Sequence, residues 1–181
     1  MEISIAQEIY SPIAVANSII GMSNPVRDEL TQLKLQKLTY LFYGWSFPLL
    51  GRKTINHHVE AWKFGPVFPP LYYETRNYGM KPIDRPIDTF SFNFIHPISS
   101  TANHILPTDE LALQTLEFVW KRYGKLSASD LVKITHQRDT PWYKTYYDEK
   151  KRGQAGLIIE DELIRTHYES LYQKIYGGDT E

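Results

Sequence analysis

Residues 33–79 read LKLQKLTYLFYGWSFPLLGRKTINHHVEAWKFGPVFPPLYYETRNYG, and a change of rhythm inside them decides the fold class. From about Thr31 to Phe47 the apolar residues Leu35, Leu38, Leu41, Phe42 and Trp45 recur at helical steps, marking the core stripe of a long helix. Thr31 offers a capping oxygen, and Pro48 with Gly51 are expected to end the helix. Residues 52–68 then keep no sustained period. Gly65-Pro66 marks a turn, and a short helix restarts near Pro69, carrying Leu71, Tyr72, Thr75 and Arg76 until Asn77 and Gly79 stop it.

Outward from this stretch, more helices follow from the same signals. Ser11-Pro12 is a cap followed by a tolerated first-turn proline, and Ile13, Ala16, Ile19 and Ile20 share one face. Leu111, Leu113, Leu116, Val119 and Trp120 mark a helix over 108–122. Ser127 with Asp130 starts a short helix to about His136, and Thr140-Pro141 starts another that ends near Tyr147. Leu163, Ile164, His167, Tyr168, Leu171, Tyr172 and Ile175 make one broad face of a closing helix within 158–176. The alternation Phe90, Phe92, Phe94 is a strand signal and allows a short β-hairpin near residues 88–106. The expected fold is mainly α and compact, one domain over 1–181, with its core motifs in 30–145.

Composition narrows the function. The 181 residues are 42% hydrophobic and 23% charged, a globular balance with enough chain to bury a core. Twenty Lys and Arg against 21 Asp and Glu leave a formal net charge of -1, so no global field draws the protein to nucleic acid or anionic lipid. Without cysteine, disulfides, thiolate catalysis and cysteine-ligated zinc are excluded. The opening MEISIAQEIY carries acids where a signal peptide needs bases, and no apolar run has membrane-spanning length, so the expected location is the cytoplasm. Aromatic residues reach 14%, with 13 Tyr and 4 Trp, a supply suited to partner recognition as well as to packing.

Catalytic patterns are missing. There is no glycine-rich phosphate loop, HExxH, GxSxG or dinucleotide fingerprint. His57 and His58 are adjacent and point apart in helix or strand, which is poor geometry for one metal ion. His136 with Asp139 has no accompanying nucleophile, and His167 falls on the apolar side of the last helix. Glu160, Asp161 and Glu162 suit the positive end of a helix rather than glycoside chemistry. Lys34, Lys37, Lys121, Arg122 and Lys125 are the best local case for nucleic acid, but the short helix after Ser127 offers only Lys133 and Thr135 as base readers, so DNA is disfavoured. The remaining class is recognition of another protein through Tyr, Trp and Arg.

Residues 33–79 resemble the opening of the Panacea antitoxin-domain family, which includes SocA-like and phage-associated proteins. The resemblance rests on Lys34, Leu35, Gln36, Lys37, Leu38 and Tyr40, then Gly44 and Trp45, then Glu60, Ala61, Trp62, Gly65, Pro66, Val67, Pro69 and Tyr72. A second block, Leu126, Ala128, Leu131, Thr135-His136 and Pro141-Trp142, is similar to the family's later element with one extra residue before the proline. Pro70 stands where family members often carry an acid, and the likeness spans about residues 10–175. It implies a mainly helical antitoxin of a two-gene system that neutralises its cognate toxin by direct protein contact, with no catalysis, cofactor, metal, small-molecule substrate or membrane. Delivery of the toxin to a protease or its adaptor machinery, or regulation of transcription, are the alternatives it leaves. Lys34, Gln36, Trp45, Glu60, Trp62, Gly65, Pro66, Tyr72, Thr135, His136, Pro141 and Trp142 are then expected to be structural. The toxin-facing surface is expected beside the second helix and the GPVFPP turn, at Lys37, Tyr40, Tyr73 and Arg76, whose helical phases let them turn away from Leu35 and Leu38.

Overall fold

The structure, a computed structural model, describes residues 8–24, 27–88, 104–105, 108–148 and 154–177. At its centre lies α2 (Gln32–Leu50), in which every residue from Lys34 to Phe47 is buried. Thr31 Oγ1 accepts from the Lys34 amide at 3.3 Å to start it. Pro48 sits inside its last turn, and the helix ends at Gly51, whose left-handed φ of 68° only glycine adopts without strain. The expected stop at Phe47 is therefore one turn early, because a proline at a frayed C-terminal turn forfeits little.

Around α2 pack α1 (Pro12–Met22), α3 (Pro69–Thr75), α4 (Glu110–Tyr123), α5 (Ala128–Thr135) and α7 (Asp161–Tyr176), while α6 (Pro141–Tyr146) packs on α7 and on a small sheet. Four of these helices start on a side-chain cap: Ser11 to Ala14 N–H at 3.0 Å, Asp109 to Ala112 at 3.2 Å, Ser127 to Asp130 at 3.1 Å and Thr140 to Tyr143 at 3.2 Å. A 3-10 turn, Arg76–Tyr78, follows α3. Glycine lets α7 close on α2: a Cβ at Gly44 would lie 2.2 Å from the Tyr168 ring. Trp45, beside it, is wholly buried, donates to the Tyr123 hydroxyl at 3.1 Å and meets Phe118 and Tyr168 edge-on.

The mainly α expectation holds, with a small sheet in a place the sequence reading left as turn. Strands β1 (Val59–Trp62), β2 (Gly65–Val67) and β3 (Ile158–Ile159) pair antiparallel in the order β2-β1-β3. The register Glu60↔Val67 and Trp62↔Gly65 makes Lys63 and Phe64 the two-residue turn, and places Gly65-Pro66 inside a strand rather than at a turn. With only two to four residues per strand, no alternation is long enough to read from sequence. The hairpin expected near 88–106 falls almost wholly on residues outside those described.

Candidate functional site

The two motif blocks meet where α2, the β1–β2 hairpin, α5 and α6 converge. Gln36 forms a two-way amide clamp on the chain just past β2: its Nε2 donates to the Phe68 carbonyl at 3.3 Å and its Oε1 accepts from the Phe68 amide at 3.0 Å. The next residue, Lys37, is fully buried and its Nζ donates to the Pro66 carbonyl at 2.9 Å. Among the described residues it has no carboxylate partner. Burial alone pulls its pKa down from the usual lysine value to about 7. Gly65, at φ 103°, passes so close that a Cβ there would sit 2.8 Å from Lys37 Cε and 3.2 Å from Thr135 Oγ1. The GPV strand is thus pinned against α2 by one amine and one amide, with no room for a side chain between.

From β1 the linkage continues to α6. Trp142 is buried and donates from its indole to the Trp62 carbonyl at 2.8 Å. His136 stacks on it with centroids 3.6 Å apart, and the buried His136 Nε2 has no hydrogen-bond partner among the described residues. Desolvation first, then the field of Lys37, hold the His136 pKa below the ordinary value. Asp139, considered above with His136, acts instead on His167, whose pKa is lowered mainly by burial. The Thr135 hydroxyl bonds back to Leu131 at 3.0 Å, and Thr140 ties Thr135 to the start of α6 at 2.8 Å. Lys34 reaches the Asp28 carbonyl at 2.7 Å, and Pro141 is buried at the first position of α6.

The outer side of the same convergence is aromatic. Trp62 is half-buried, its indole donating to Glu60 Oε2 at 2.7 Å while His58 Nε2 lies 3.2 Å from the other Glu60 oxygen. Tyr72 meets Trp62 edge-on at 4.7 Å and Tyr73 at 5.6 Å. Tyr73 is 55% exposed, with the Arg76 guanidinium 5.5 Å from its ring centre. On the α6 side Trp142 stacks on Tyr146 at 4.7 Å, and Tyr147, 58% exposed, meets Tyr143 and Tyr146. The rings therefore form a ladder in two runs, one on α3 and the hairpin and one on α6, bridged by the hydrogen bond from the Trp142 indole to the Trp62 carbonyl.

The four expected partner residues divide. Tyr73 and Arg76 lie on this surface, whereas Lys37 at 0% and Tyr40 at 2% exposure lie inside and present nothing to a partner. Helical phase misled there because α2 is surrounded on all sides and has no solvent face for residues out of the leucine stripe. Burial pushes the Tyr40 phenol well above its usual range, as it does Tyr168. Tyr143, Tyr146 and Tyr147 lie outside the expected surface; the density of rings in WYKTYY was the available signal. Among the described residues no group of three or more His, Asp or Glu side chains can hold a metal, and no helix is long and apolar enough to cross a membrane.

Comparison with known proteins bears on the whole arrangement. The sequence model of the family described as Antitoxin SocA-like, Panacea domain, matches residues 35–143, which include both motif blocks. The chain is also similar to Antitoxin SocA of Caulobacter vibrioides, 32% identical over 163 residues that cover 90% of this chain and 83% of that protein. No solved structure matches.

Proposed function

Because this chain belongs to the SocA-like Panacea antitoxin family, we propose that it is the antitoxin of a two-gene pair and neutralises its cognate toxin in the cytoplasm by stoichiometric protein contact, without catalysis. The observation that supports this reading is the split within the motif region. Buried polar bonds at Gln36, Lys37 and Trp142 fix the backbone beneath half-buried Trp62, Tyr72 and Tyr146 and exposed Tyr73 and Tyr147. Rigid tyrosines and tryptophans offer large contact area at small entropic cost, which suits a binding face. The surface we assign to the toxin is this ladder with Arg76.

Co-expression with the product of the adjacent gene tests the reading. A growth-arresting product that is rescued by this chain and co-purifies with it at one-to-one stoichiometry, with an unchanged half-life in the cell, is the expected result. Rescue accompanied by faster loss of the toxin and dependence on a protease replaces direct blocking with delivery for degradation. Rescue with no complex at all removes the proposal.

A further inference from the structure

We propose that the face made by the β1–β2 turn and α3 docks an acidic segment of the toxin that also carries an apolar side chain; this rests on the direct-binding reading above and specifies its chemistry. One half of this face is apolar and exposed. Phe64, at the turn, is 61% exposed and Tyr73 is 55% exposed, and Trp62 and Tyr72 join them as a half-buried floor. Exposed rings in this number around one turn form the kind of patch that marks a binding surface rather than a scattered residue.

Charge supplies the other half. Lys63 and Arg76 flank the rings, and neither forms an ion pair with any described residue. Each cation rests over a ring instead: Lys63 Nζ lies 5.6 Å from the Phe64 centroid and the Arg76 guanidinium 5.5 Å from that of Tyr73. Glu60 on β1 forms no ion pair with either; its oxygens accept from the Trp62 indole and lie against His58. On the wheel of α3, Arg76 falls at about 40° from Tyr72, between the two tyrosines, whereas Glu74 falls at about 200°, away from the patch. Two uncompensated cations beside exposed rings, in a chain whose net charge is -1, complement carboxylates flanking an apolar anchor.

Two probes test it. The isotope-labelled full chain is titrated with a short synthetic peptide of alternating glutamate and tryptophan, and with the same peptide carrying lysine for every glutamate, while backbone resonances are followed by NMR. The proposal expects shifts at residues 62–64 and 72–76 from the acidic peptide only, with affinity falling about tenfold or more in Lys63→Glu/Arg76→Glu, the scale of two rim charges reversed. Equal shifts from the lysine peptide, or shifts from the acidic peptide centred elsewhere, overturn it. Lys121→Glu, an exposed site on α4, controls for global charge and should leave the affinity unchanged. Capture of the toxin keeps the two readings separate: parental toxin affinity in the folded double variant sinks the acidic-segment proposal and leaves direct binding intact, whereas a parent chain that captures no toxin sinks direct binding itself.

Discussion

The β1–β2 hairpin has two sides that obey different rules. Its β2 strand, Gly65–Val67, is entirely buried and held by the Lys37 amine, in a space too small for a Cβ at Gly65. Its turn, Lys63-Phe64, is exposed to solvent. Every change on the first side is felt as lost stability, because buried polar groups and close-packed backbone have no alternative partners. Changes on the second side leave the fold alone and are free to tune recognition. The comparison separates two kinds of tryptophan as well: Trp142 belongs to the inner side and the half-exposed Trp62 to the boundary.

The sharpest way to break this division is therefore a pair of truncations. Trp142→Ala should lose about 3–5 kcal/mol, the cost of deleting a large buried ring and the bond it donates to Trp62. Trp62→Ala should lose clearly less stability and more toxin affinity, since part of its ring is already in solvent. Equal melting losses in the two variants, with toxin binding unaffected, would place Trp62 on the inner side. Denaturant titration of each folded variant measures the first quantity and calorimetry with toxin the second.

Next in size is Gly44→Ala, which forces a methyl to within 2.2 Å of the Tyr168 ring and should cost about 1–3 kcal/mol or more by separating α7 from α2. A variant as stable as the parent would show that α7 shifts freely, and the contact of α7 with Trp45 would then not be part of the rigid frame.

Lys37 predicts a pH dependence with a definite sign. Its folded pKa of about 7 lies below the unfolded value of 10.5, so between these values the unfolded chain binds the extra proton. Stability should rise with pH across that window, by up to about 1.4 kcal/mol per pH unit, and the contribution should sit at its minimum below pH 7. Lys37→Met keeps the volume and removes the titration, so the slope of folding free energy between pH 7 and 10 should flatten. The same slope in parent and variant would show that the buried amine is not its source. Smallest of all should be the stability effect of Tyr73→Ala, within about 0.5 kcal/mol, because the ring is more than half exposed.

How much of this was legible from sequence depends on which physical rule is local. Caps are local, and Ser11, Thr31, Ser127 and Thr140 each start a helix where the reading put it. Gln36, Gly65, Thr135 and Trp142, which carry the family likeness, lie buried in the frame. The fates of Lys37 and Tyr40 were hidden, since a helix enclosed on all sides breaks the assumption that one face is wet. The hairpin was hidden for another reason: its partner β3 comes from residue 158, and a two-residue strand leaves no pattern. The outward rings of α6 were visible only as composition, with no local sign of which would be exposed.

Hydrogen–deuterium exchange of the chain alone and in complex with the toxin from the adjacent gene tests the division most directly. New protection is expected at residues 62–64, 72–76 and 143–147, with the interior of α2 already protected in the free chain and unchanged by binding. Protection confined to the exposed face of α7, or an α2 interior that gains protection only when the toxin binds, would contradict it.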